Sequence, residues 1–254
     1  MALTQILRNP LRDYAKFGFI WHLLYMEQFA QGFMWYVIFL FSLTVHEAAH
    51  AWASMKLGDL TAYEGGQVSL DPRPHIRREP LGTIVIRILS FAMGGWMMGW
   101  ASAPYNDHWA MRYPRRAALM ALAGPCSNLL IVLLSGLVIR LGVGIGIFSV
   151  PHYIGFSTVV ESTGVGLVAA LATFINTLFS LNLILFVFNL IPIPPLDGSG
   201  VLPLFMNEDK AQNYLNFIHH SPFLILGLFL AWEMMDFIYL PFQYLFVHLL
   251  YLWI

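Results

Sequence analysis

Long uninterrupted apolar runs limit this chain more than any other feature. Residues 29–57, 117–139 and 165–191 each carry enough apolar side chains to cross about 30 Å of hydrocarbon, and 222–240 is long enough for a last span. With 58% hydrophobic and 11% charged residues, such runs cannot all enter one soluble core. The fold class that follows is an all-α polytopic membrane protein with about four to six transmembrane helices, since a helix satisfies its own backbone in lipid. A formal net charge of -1 offers no attraction to nucleic acid, and the basic residues cluster in short loops where they report topology. The single cysteine, Cys126, excludes an internal disulfide framework and reads as a packed thiol.

Residues 1–28 mix Arg8, Arg12 and Lys16 with aromatic and aliphatic side chains, as suits a helix lying at the membrane surface rather than a cleavable leader. Residues 29–203 form the core, and 204–254 a C-terminal loop, transmembrane helix and aromatic tail. Between 58 and 81 the sequence reads as a hairpin or extended piece followed by a basic, proline-rich loop. Leu81 to Ala103 is apolar, yet both its flanks are basic and it contains Arg87, Gly94-Gly95 and Gly99. A membrane-embedded hairpin or re-entrant segment fits these charges better than a crossing. The loop 141–163 has no Lys or Arg and faces outward. Residues 199–221 read as a polar connection, and His75, His108, His152, His219 and His220 as exposed loop imidazoles.

Near the end of the first run stands His46-Glu47-Ala48-Ala49-His50. Two histidines four apart on a helix share a face, about 6 Å apart along the axis, and can hold one metal ion. Glu47 is then placed to take a proton from a water at the site. Counted from Lys56, His50 lies about 9 Å and His46 about 15 Å inside the interface. A pair of satisfied core histidines is the bland reading, but three ionisable groups in an apolar helix are costly without a task. The helix over 165–191 carries Asn176, Asn182 and Asn189, and its end is broken by Pro192, Pro194 and Pro195. That break leaves Asp197 on the same inner side, within reach as a third ligand.

HEAAH at 46–50, GPCSN at 124–128 and NLIPIPPLDG at 189–198, in that order, resemble the site-2 protease family of intramembrane zinc metalloproteases. The likeness is to its small members without PDZ or CBS domains and covers about residues 41–203; GDLTAYEGGQVSLDP resembles their hairpin after the HExxH helix. The resemblance implies one zinc ion per chain on His46, His50 and Asp197, with Glu47 as catalytic base. Asn128 and Asn189 match family asparagines and are candidates to hold the substrate backbone or the oxyanion, with helix packing as the alternative. The implied activity is hydrolysis of peptide bonds in or near transmembrane segments. Transmembrane proteins and membrane lipids are then the partners, in a multi-pass cell-membrane protein whose site lies nearer the cytoplasmic side. The extended 67–70 and 82–103 segments could pair with an unwound substrate strand. A metal transporter or sensor using the same three ligands is the competing reading; the absence of a repeat or a second ligand cluster weighs against it. The N-terminal segment and the tail depart from the family pattern.

Overall fold

The computed structural model describes residues 10–94, 99–156, 158–219 and 224–252; for 10–28, Gly94, His219 and Asp236 only the backbone is described. Helix α1 (Pro10–Leu57) runs unbroken for 48 residues. The surface helix expected over 1–28 and the first span are therefore continuous from residue 10, and residues 1–9 lie outside the described part. Phe29, Phe33, Val37 and Phe41 recur every four residues on one exposed stripe, while Ser42, His46, Glu47, His50 and Ser54 are buried. The stripe suits lipid, and the polar face is turned into the protein.

The stretch after α1 differs from the expected hairpin and loop. It holds two short helices, α2 (Thr61–Glu64) and α3 (Pro72–Arg78), joined by non-helical residues 67–70. Asp59 accepts from the Thr61 backbone and hydroxyl (3.1 and 2.6 Å), and Asp71 accepts from the Arg73 backbone (2.9 Å). Pro72 occupies the first turn of α3, where a missing N–H costs nothing, so the prolines start a helix instead of preventing one. The Arg73 side chain and backbone N–H groups, hydrogen-bonded to Asp71, hold its carboxyl down at about 2. His75 is a further correction: it is buried, with Nε2 3.2 Å from the Ser69 carbonyl.

The segment expected to be extended over 82–103 is helical in its first part, where the backbone bonds to itself and has no edge to offer a strand: a π-helical turn (Leu81–Val85) leads into α4 (Ile86–Gly94). Fourteen residues rise only about 21 Å. At Gly99 and Trp100 the chain is again beside Gly82: a Cβ on Gly82 would lie 2.8 Å from the Trp100 indole, and one on Gly99 would strike the Gly82 carbonyl. Ser102 closes the base by donating to Glu79 Oε1 (2.9 Å). Residues 99–102 thus return to the start of the segment, so that its two described ends lie together.

Helix α5 (Asp107–Arg112), capped by Asn106, precedes α6 (Pro114–Gly144). The paired strands β1 (Phe148–Ser149) and β2 (Glu161–Ser162) lie in the next loop, and α7 (Leu167–Asn189) returns. Asn176 grips that loop, accepting from the Val159 and Val160 N–H groups (2.9 and 2.8 Å) and donating to the Val160 carbonyl (2.8 Å). The expected polar connection is instead helical. It contains α8 (Asp197–Val201), a 3-10 turn (Leu202–Phe205) and α9 (Glu208–His219), whose Ala211, Leu215 and Ile218 point inward at helical spacing. His219 ends that helix, and His220 lies outside the described residues.

Helices α10 (Leu224–Glu233) and α11 (Met235–Tyr251) complete the chain and are bent by 52° to each other. Among the described residues three helices are long and apolar enough to cross a membrane, or four if this bent pair counts as one span. The largest core lies between α6, α7 and α11, around Val132, Ile139, Phe179, Leu183 and Val247. Cys126 is exposed rather than packed; two residues beyond Gly124, it lies about 200° round α6 from the face that meets α1.

Candidate metal centre

Helical spacing alone brings the two histidines of α1 together, and α6 fixes how they are turned. The Nε2 atoms of His46 and His50 lie 3.0 Å apart. Each ring uses its other nitrogen as a donor: His46 Nδ1–H to Asn128 Oδ1 (2.6 Å), and His50 Nδ1–H to the Met120 carbonyl (2.8 Å). Both Nε2 lone pairs are thereby left for a metal, the usual arrangement of a ligating imidazole. Met120, Gly124 and Asn128 are successive rungs, four apart, of one α6 face. Between the two outer rungs, a Cβ on Gly124 would fall against both Nε2 atoms, 2.6 Å from that of His46. Glycine keeps this space open.

Asp197 comes from the other end of the sequence. The chain leaves α7 through its proline-broken end, and Gly198 lets it turn tightly, since a Cβ there would strike the Leu190 and Ile191 carbonyls. Ser199 donates from its backbone and hydroxyl to the Leu196 carbonyl (3.0 and 2.8 Å), and Tyr214 Oη donates to the Ser199 carbonyl (3.0 Å). Asp197 Oδ2 so held lies 3.0 Å from His46 Nε2 and 3.3 Å from His50 Nε2. The three residues offer ligand atoms all within 4.8 Å of one another. Two imidazoles and one carboxylate, with a cradle kept clear by Gly124, fit one zinc ion and leave it a further position.

Glu47 is buried beside them, about 100° round α1 from His46 and 60° from His50. It is not among the three clustered ligands. Asn128 is fully buried on the Nδ1 side of His46, away from the Nε2 cluster, and its Nδ2 donates to Asn182 Oδ1 (2.8 Å). Asn182 in turn donates to Ser42 Oγ (2.9 Å) and to the Leu178 carbonyl (2.8 Å), and Ser42 donates to the Ile38 carbonyl (2.8 Å). Asn189 is half-buried and donates to the Leu185 carbonyl of its own helix (2.9 Å). Sequence reasoning did not assign roles to Met120, Gly124, Asn182 or Ser42. Asn182 carried a signal, an amide inside an apolar run; Met120 acts through its backbone and carried none.

The description "Peptidase family M50" belongs to the family model that matches residues 34–228. The chain is 34% identical over 173 residues to YwhC of Bacillus subtilis (strain 168), whose name assigns it provisionally to the zinc metalloproteases. That match covers 65% of this chain and 66% of YwhC. Rip2 of Mycobacterium tuberculosis (strain H37Rv), named in the same way, is 30% identical over 192 residues, which is 76% of this chain and 64% of Rip2. The matches thus span just under two thirds of these relatives' lengths. No solved structure gives a significant match.

Proposed function

Because the chain belongs to peptidase family M50, we propose that it is an intramembrane zinc endopeptidase that hydrolyses peptide bonds in or near transmembrane segments of other membrane proteins. One observation carries this reading: His46 and His50, on a helix long and apolar enough to span a bilayer, converge with Asp197, and Glu47 is buried beside them. Zinc bound there would supply Lewis acidity, bringing the pKa of water towards neutrality and polarising the scissile carbonyl.

The chain's own groups supply the rest. Asp197 and the Nε2 atoms of the two histidines would hold the ion, and the hydrogen bonds at both Nδ1 atoms keep those rings from turning. Glu47 accepts the proton of the attacking water on its carboxylate and passes it to the leaving amine, so that water and amide become carboxylate and protonated amine once the acid's proton has also moved to the amine. Asn128 acts through His46 as a positioning residue, since its amide is already engaged at both ends. Lys56 at the α1 end, Arg112, Arg115 and Arg116 around the α6 start, and a 141–163 loop without Lys or Arg support a site nearer the cytoplasmic face.

The test is metal content per purified chain, followed by cleavage. About one zinc in the parent, kept in Glu47→Gln and lost in Asp197→Ala, is the expected outcome. Glu47→Gln should then cut transmembrane substrates at least about a hundredfold more slowly. Zinc indifferent to Asp197, or cleavage indifferent to Glu47, would sink the reading.

A further inference from the structure

Arg87 is completely buried, and none of its three guanidinium nitrogens has a hydrogen-bond partner among the described residues. A buried, unpaired cation is costly, and within a membrane it marks a functional position. Its helical segment turns Leu81, Ile88, Leu89 and Met93 outward, whereas Arg87 and Thr83 are buried. The Arg87 head rests on α1, with Cζ 4.5 Å from the centre of the Phe39 ring. Its stem is pinned from behind, because a Cβ on Gly99 would lie 2.7 Å from Nε and 2.8 Å from Cγ. Phe39 precedes His46 by seven residues, nearly two turns, and so shares its face about 10 Å further along α1.

We propose that Arg87 is a substrate-binding residue whose guanidinium donates to main-chain carbonyls of an unwound transmembrane segment, about three residues from the bond that is cut. The proposal rests on the peptidase reading. An endopeptidase needs an extended peptide, and extension in hydrocarbon strips carbonyls of their helical donors. A planar fork of donors held at a fixed place meets that need, which a lysine point charge does not. An extended chain covers about 10 Å in three residues, which is the offset between Phe39 and His46 along the helix. The Phe39 ring holds the cation while no strand is present. A lipid phosphate is disfavoured as the occupant because the guanidinium is turned from the lipid-facing side of its helix.

The test uses the full, zinc-loaded chain carrying Glu47→Gln in phosphatidylcholine vesicles. The probes are synthetic Leu/Ala transmembrane peptides with single amide-to-ester replacements walked across the centre. An ester carbonyl is a weaker acceptor, so an ester at one register should lower affinity about five- to tenfold with Arg87 present and less than about twofold in Arg87→Met. Arg87→Lys, which keeps charge without the fork, should fall between them. Equal ester penalties in Arg87 and Arg87→Met, or an Arg87→Met variant that weakens every peptide alike, would reduce the residue to a structural one and overturn the proposal. Peptides that never bind overturn it as well. Peptides cut by the parent with a penalty that ignores Arg87 remove this role and leave the peptidase reading standing, whereas a parent that cuts none of them and no other transmembrane substrate removes that reading too.

Discussion

Asn128 touches His46 at Nδ1, on the side away from the metal-facing Nε2 atoms, so its loss should act through metal affinity. Asn128→Ala is expected to weaken zinc binding about 10- to 100-fold, read by chelator competition. Gly124→Ala places a methyl group on both Nε2 atoms and should abolish stoichiometric zinc, with the metal-free protein losing about 1–3 kcal/mol of stability as the rings or α6 shift to make room. A variant that loads zinc normally would refute the cradle. His46 and His50 were legible in the sequence because a spacing of four is a spatial statement on a helix. Asp197 was legible because three prolines dictate where α7 stops. Met120 was not, since a carbonyl has no sequence signature, and His75 was misread because a lone histidine in a basic stretch says nothing of the Ser69 carbonyl it meets.

At the level of elements, the meeting of the two described ends of the segment around Arg87 was readable from its two basic flanks, which charge asymmetry places on one side. Helix α3 was hidden by its prolines, which break helices only beyond the first turn. Helix α9 was hidden by its polarity, although Ala211, Leu215 and Ile218 kept a helical period. The contact of α10 with the segment before Asp197 could not be read at all. There a Cβ on Gly227 would strike the Pro194 carbonyl and lie 3.0 Å from Ile193 Cγ2. Gly227→Val should therefore displace the carboxylate and lower zinc affinity by at least about tenfold, by the same logic as the loss of any partner that orients a ligand. Gly136→Ala, whose Cβ would sit 3.5 Å from Leu250 Cδ1 in ordinary contact, is the neutral comparison in the same titration.

For the whole molecule, the core between α6, α7 and α11 contains none of the three ligands. Chelation should leave the far-ultraviolet helical signal intact while lowering Tm, by the equivalent of about 2.7 kcal/mol at free zinc a hundredfold above Kd. Collapse of the helical signal on chelation would contradict that separation. Cysteines placed singly at His108 and Tyr153 in a Cys126→Ser background should label from opposite sides of sealed vesicles. The helices are also joined by a chain of hydrogen bonds with one sense throughout. It begins at His46 on α1, passes through Asn128 on α6 and Asn182 on α7, and returns by Ser42 to the Ile38 carbonyl of α1. A carbonyl only accepts, so every donor upstream must point the same way, and the two amides cannot be reversed without orphaning a partner. The proton on a ring that faces the metal is thus dictated by a backbone oxygen two turns away on its own helix, by way of two other helices.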